Sequence, residues 1–250
     1  MPISAPAAEI KAQFERDGYW IVHDILPQSE VQSLKEEIRS ILAGVRLNAP
    51  VDSAHRDSTQ ATGVYVGLAA RSERMRAFAR DPRILDLLEV VIGPNIAFLS
   101  DKIVFKSPEV DFGSPWHQDW PYWEGSHKLS VWLALDDANI ENGCLKLLPG
   151  SHRTNAAHDG EAKDGHGFNH RLRQDAVDEG QAVSAPIKAG SAVIFHDLTL
   201  HASHPNTSGH DRWALISTYR DAQAAEPFYA WAVAAEVVRG RGMSIRSEAV

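Results

Sequence analysis

Cys144 is the only cysteine in this 250-residue chain. That excludes an intrachain disulfide and any cysteine-rich zinc site, and it fits a reducing compartment. Cys144 itself reads as a small buried strand residue. No apolar stretch approaches the roughly 20 residues that span a bilayer, so no membrane passage is expected. Met1 to Glu9 carries neither the basic start nor the apolar run of a secretory leader. The last residues, Glu248, Ala249 and Val250, are not a peroxisomal Ser-Lys-Leu type of ending, so the cytoplasm is the expected compartment. Positive charge is not in excess either: the formal net charge is −8. With Lys and Arg scattered along the chain, phosphate backbones and anionic membranes are repelled, and neither nucleic acid nor membrane is an expected partner. No Pro/Gly/Ser-rich or single-sign linker divides the chain, so residues 1–250 are read as one domain.

With 44% hydrophobic and 23% charged residues, the composition supplies a sizeable core. Ile10 and Phe14, four apart, predict a short helix over about Ala8 to Arg16. Asp17-Gly18 breaks it before a strand at Tyr19 to Val22. Ser29 caps a second helical pattern carrying Val31, Leu34, Ile38, Ile41 and Leu42, with Gly44 as its expected stop. About Asn48 to Tyr65 reads as loop. Asp81-Pro82 opens another helix, with Ile84, Leu87, Leu88 and Val91 as its stripe and Gly93-Pro94 as its end. Short β-branched and aromatic runs follow at Ile96–Phe105, Leu129–Leu135, Cys144–Leu148, Ser191–Phe195 and Trp213–Tyr219. The expectation is a mainly β chain with flanking helices, an α+β fold. It has a helical part over about 1–95, an antiparallel double-sheet barrel over about 96–222, and a tail at 223–250. The polar, glycine-punctuated stretch Arg153–Gln181 reads as a long insertion, a lid or a plain surface loop.

Trp116-His117-Gln118-Asp119-Trp120 sets an imidazole and a carboxylate two residues apart, on one face of an extended chain. The segment Phe195 to Ser203 supplies a third ligand. His201 is preferred there over His196 and His204 because Arg212 follows eleven residues later, in the next strand, where its fork meets a carboxylate bidentately. Two histidines and one carboxylate leave three octahedral positions open, the pattern of oxygen-activating Fe(II).

These blocks resemble the phytanoyl-CoA dioxygenase family of Fe(II)- and 2-oxoglutarate-dependent oxygenases over most of the chain. The resemblance begins at Phe14-Glu15-Arg16-Asp17-Gly18-Tyr19 and runs through Trp116 to Asp119, Val131 to Asp137, Glu141 to Leu145 and Pro149 to His152. It ends with His201-Ala202-Ser203, Pro205-Asn206 and Arg212. It implies a double-stranded β-helix, or jelly-roll, core and iron bound by His117, Asp119 and His201. It further implies 2-oxoglutarate and O2 as co-substrates, Arg212 on the distal carboxylate of 2-oxoglutarate, and Trp132 and Ser203 lining that pocket. Because Asp119 is a carboxylate, the resemblance points to a hydroxylase rather than a halogenase.

The substrate expected is a small molecule, and the protein a monomer or homodimer. Trp120 and Tyr122 either face that substrate or pack at the core and rim. Lys106 either reaches an acidic group in the pocket or is a surface strand lysine, the plainer reading. His127, His152, His158, His166, His170 and His210 read as solvated side chains, and Gly143 and Gly150 as turn residues. Two other functions remain open on residue types alone: a zinc hydrolase using the same triad, and a non-catalytic barrel that keeps the fold without turnover.

Overall fold

The structure is a computed structural model that describes residues 6–48, 63–109, 111–158, 170–173, 175–227, 229 and 231–242. Helix α1 (Ala7–Asp17) buries Ile10 and Phe14. It ends where Gly18 takes φ +81, a left-handed turn in which a Cβ would also run into the His152 ring. Strand β1 (Tyr19–Val22) starts at once. Helix α2 (Gln28–Asn48) does not stop at Gly44. Ile41 and Val45 continue its apolar stripe onto the core, and Gly44 faces open space, so the roughly 1 kcal/mol cost of a helical glycine is tolerated. Strand β2 (Val64–Val66) lies at the end of the stretch read as loop; residues 49–62 of that stretch fall outside the described ones. Sequence periodicity also missed helix α3 (Glu73–Phe78), whose Ser72 accepts from the Arg74 and Met75 amides. Helix α4 (Pro82–Ile92) runs where its Asp81 cap and Gly93 stop placed it.

Eight further strands among the described residues complete the fold: β3 (Ile96–Lys106), β4 (Lys128–Ala134), β5 (Leu145–Leu147), β6 (Val183–Ala185), β7 (Ala192–His196), β8 (His201–Ser203), β9 (Arg212–Asp221) and β10 (Glu236–Arg239). The large sheet has the order β1-β7-β4-β9-β3-β10, with β2 also on β3; the small sheet has the order β6-β5-β8. All pairings are antiparallel. Strand β10 lies within the segment read as a tail and closes one edge of the large sheet.

Alternation along the strands sorts the side chains into two layers. Val131, Leu133, Ile103 and Leu215 face the helices and join Phe14, Leu34, Ile38, Ile84 and Leu88 in the main core. Trp132, Val193, Phe195 and Ile216 face the other way and meet Leu145, Leu147 and Ala185 of the small sheet. The fold is therefore a jelly roll with helices packed on one outer face, and the space between its sheets holds the site. Among the described residues no helix is long and apolar enough to cross a membrane.

Candidate active site

His117 sits on a segment that adds itself to β8: His117 and His201 exchange backbone N–H···O bonds, both 3.0 Å. This extra rung places the two imidazoles side by side, ring centres 4.1 Å apart. Two residues on, the Asp119 and Trp120 amides donate to the Asp197 carbonyl at 2.8 and 3.2 Å, which turns the carboxylate toward the same point. Ser130 on β4 donates to Asp119 Oδ2 at 3.2 Å. The Nε2 atoms of His117 and His201 each lie 3.8 Å from Asp119 Oδ1.

The tautomers follow from the partners. His117 Nδ1 is 2.8 Å from the Pro115 carbonyl and His201 Nδ1 is 2.9 Å from the Thr199 carbonyl. A carbonyl only accepts, so each Nδ1 carries the proton and each Nε2 offers a lone pair. Burial pushes His117 down to about 3 and lowers His201 as well; both stay neutral at physiological pH. Burial alone would raise Asp119, but His201, Lys102, His117 and the Ser130 hydroxyl outweigh it and hold the carboxyl below its ordinary value. Two neutral imidazoles and a carboxylate, all about 5% exposed, are a donor set for a divalent ion of the Fe(II) type.

The same cavity extends to Arg212, the first residue of β9. Its guanidinium is 1% exposed and lies over the Trp132 ring at 5.2 Å. Its Nε and Nη1 have no hydrogen-bond partner among the described residues. Burial lowers its pKa to about 10, so it keeps its charge. A buried, charged fork with unmatched donors is a receptor for a carboxylate.

Lys106, directly opposite Arg212 in the β3–β9 register, is not a surface lysine: it is 3% exposed. The strand's inner face is covered by the small sheet, which sequence alternation alone did not reveal. Its ammonium donates to Ser203 Oγ at 2.9 Å and to the His204 carbonyl. Gly143 (φ +96) leaves room for it, since a Cβ there would come within 2.8 Å of Lys106 Cδ. Ser203 lines the cavity but is heavily engaged, accepting also from the Ser114 amide and donating to Ser114 Oγ, both at 2.9 Å. Trp132 forms part of the same cavity wall.

Trp120 and Tyr122 lie in a short 3-10 turn just after Asp119 and are not part of that wall. Tyr122 meets the His117 ring edge-on at 6.5 Å and is 37% exposed, so it stands at the rim. His196 and His204 point elsewhere: Leu198 N–H donates to His196 Nδ1, and His204 Nε2 pairs with Ser184 Oγ. Two histidines read as solvated are not. His158 Nε2 accepts from the Gln118 amide, and His152 packs against His196; His166 lies outside the described residues. The flanks of the insertion are pinned to the segment that carries His117 and Asp119. Gln118, fully buried, donates to the Thr154 carbonyl and accepts from the Ala156 amide, while Leu172 N–H donates to the Trp116 carbonyl. Lys102, four residues before Lys106 on the same strand face, lines the cavity and escaped notice; period-two spacing from Lys106 was the signal that could have found it.

The sequence profile of the phytanoyl-CoA dioxygenase (PhyH) family matches residues 14–214. The chain belongs to this family. It is 28% identical over 233 residues to the probable alpha-ketoglutarate-dependent hypophosphite dioxygenase of Stutzerimonas stutzeri, covering 87% of this chain and 79% of that one. It is 26% identical over 241 residues to the L-proline trans-4-hydroxylase of Streptomyces griseoviridis, covering 88% of each. Among solved structures it superposes on the epimerase SnoN in complex with Fe3+, alpha-ketoglutarate (2-oxoglutarate) and nogalamycin RO. There the TM-score is 0.71 and the identity 25%, over 88% of this chain and 85% of SnoN. Like other PhyH enzymes, this one is an Fe(II)- and 2-oxoglutarate-dependent dioxygenase with a jelly-roll core. The zinc-hydrolase and non-catalytic alternatives fall with that assignment.

Proposed function

We propose that this dioxygenase hydroxylates an unactivated C–H bond of a small-molecule metabolite. In this reading His117, Asp119 and His201 hold the iron, and Arg212 holds the distal carboxylate of 2-oxoglutarate against Trp132. The observation that carries it is one cavity with three converging ligand atoms in its wall and, further along, a buried guanidinium with donors unmatched among the described residues. When bound, iron and 2-oxoglutarate supply the activation of O2, with succinate and CO2 as co-products. The chain's own residues bind, orient and exclude water. Ser130 fixes the free face of Asp119, the Pro115 and Thr199 carbonyls fix both ring tautomers, and the apolar walls Val104, Leu145, Phe195 and Ile216 keep the cavity dry.

Lys106 belongs with the co-substrate rather than the substrate, because it shares the Arg212 end of the cavity and touches Ser203. Trp120 and Tyr122 are left for the substrate's approach at the rim. Asp119 occupies the metal-facing position with a carboxylate, which supports hydroxylation over halogenation. The single buried cysteine and the net charge of −8 support a cytoplasmic protein, monomer or homodimer, that acts on a diffusible metabolite.

The test is anaerobic addition of Fe(II) and then 2-oxoglutarate. A visible metal-to-ligand charge-transfer band should appear, and admitting O2 should convert 2-oxoglutarate to succinate. No band and no succinate would reject this reading.

A further inference from the structure

The inner face of β3 presents residues 102, 104 and 106 to the cavity, so its two lysines stand about 13 Å apart along the strand. Lys106 pairs in register with Arg212. Lys102 lies in the row Lys102–Ile216–Trp132, next to the row Ser100–Thr218–Ser130 whose last member bonds Asp119. One lysine therefore belongs to the Arg212 end and the other to the metal end. Lys102 is close enough to act on the charges of His117, Asp119 and His201. It is half-buried and, among the described residues, its ammonium makes no hydrogen bond or ion pair.

Charge balance separates the two. Among the described residues the cavity wall carries Lys102, Lys106 and Arg212 against a single carboxylate, Asp119. A divalent ion and the 2-oxoglutarate dianion cancel each other in charge, which leaves the three basic side chains in surplus over Asp119. Lys106 already has two oxygen acceptors in Ser203 and the His204 carbonyl. Lys102 is left beside the reacting centre with no hydrogen-bond acceptor for its ammonium among the described residues, and the opposite charge nearest in effect is Asp119, a carboxylate turned toward the metal point, so the lysine has donors to offer a further oxyanion.

We propose that Lys102 anchors an oxyanion of the substrate, so that the substrate is a small anionic molecule bearing a carboxylate or a phosphorus oxyanion. This rests on the iron and 2-oxoglutarate assignment above. Lys102 at the metal end orients the anionic group and leaves the neighbouring C–H bonds to face the iron. Neutral and cationic molecules of the same size leave the lysine unpaired and bind more weakly.

The test uses the anaerobic Fe(II)·2-oxoglutarate holoenzyme, with the charge-transfer band as readout and no turnover. Acetate and inorganic phosphate serve as oxyanion probes, and acetamide as the neutral control. At least one oxyanion should perturb the band saturably and acetamide should not; whichever probe acts at lower concentration identifies the oxyanion type. Lys102→Met should weaken that response about 10- to 100-fold, and Lys102→Arg should retain it. The 2-oxoglutarate titration itself should be unchanged in Lys102→Met, which also shows that the variant is folded. If both oxyanions and acetamide act alike, or none acts, while the band is normal, the anchor is rejected and the iron reading stands. If Lys102→Met instead weakens 2-oxoglutarate binding tenfold, Lys102 serves the co-substrate and the proposal fails. Absence of the band in the wild type removes both readings together.

Discussion

His117, Asp119 and His201 form one group of two histidines and an aspartate; His127, His196 and Asp197 form another, with ligand atoms in each group within 4.8 Å of one another. The donor types are identical and the preparation is opposite. In the first group both Nδ1 protons go to backbone carbonyls, the carboxylate keeps Oδ1 unbonded, and all three residues are buried. In the second, Asp197 Oδ1 meets His127 Nδ1 at 3.0 Å, and Oδ2 accepts from the Lys128 amide and Trp123 Nε1 at 2.9 and 3.1 Å. His196 Nδ1 takes the Leu198 amide. His127 has 54% of its side chain exposed. The second group uses its lone pairs on the protein itself, and the Asp197 carbonyl then holds the Asp119 backbone in place. What separates the two groups is where their lone pairs are aimed, not which residue types lie near one another.

The largest effect that tests this contrast is loss of iron. His117→Ala, Asp119→Ala and His201→Ala should each abolish tight Fe(II) binding in anaerobic calorimetry, whereas His196→Ala and His204→Ala should keep it. Iron lost with His196 and kept without His201 would reverse the comparison. Asp197→Ala should act on stability instead. It strips partners from a part-buried indole N–H and a buried amide, the latter at about 1–3 kcal/mol, read as a lower urea midpoint with Fe(II) affinity of the folded protein retained. Unchanged stability would mean that the second group is not a structural hub.

At the far end of the cavity, Arg212→Lys keeps the charge and loses the planar fork. Its 2-oxoglutarate titration should weaken roughly 10- to 150-fold while Fe(II) binding survives. Overlapping titrations would remove Arg212 from the co-substrate site. Lys106 gives a pH signature. Burial, then the neighbouring Arg212, lowers its pKa to about 7. In the free enzyme it is charged below that pH and neutral above it, and a dianion favours the charged form. Affinity for 2-oxoglutarate should therefore be level below pH 7 and fall about tenfold per unit above it, until the pKa of the complex is reached. Lys106→Met should flatten the slope, and a persistent slope would assign it to another group. The smallest effect belongs to His127→Ala, a largely exposed side chain. Stability should stay within about 0.5 kcal/mol, and iron binding should not move. Any iron loss there would give the second group a role the geometry denies it.

His117 and Asp119 were legible from the sequence because a separation of two puts both on one face of an extended segment, a local rule that needs no tertiary information. His201 was legible only through its spacing to Arg212, and the family resemblance added 2-oxoglutarate. The helix α4 boundaries were legible for the same local reason, since Asp81, Pro82 and Gly93 act within one turn of themselves. The stop at Gly44 was not, because the core contacts of Ile41 and Val45 outweigh a propensity of about 1 kcal/mol.

Sequence thus determined the residue types that meet at the candidate site, the place of Arg212 at the start of the following strand, and the alternation of the strands. Tertiary structure decided where the lone pairs point, which of two similar His/Asp groups is buried and faces the cavity, and that Lys106 is buried while Lys102 is half-buried in the same cavity wall. The physical reason is range. Periodicity and caps are fixed by neighbours in the chain, whereas burial and unmet charge depend on the small sheet, whose strands β5, β6 and β8 come from distant segments and cover the large sheet's inner face.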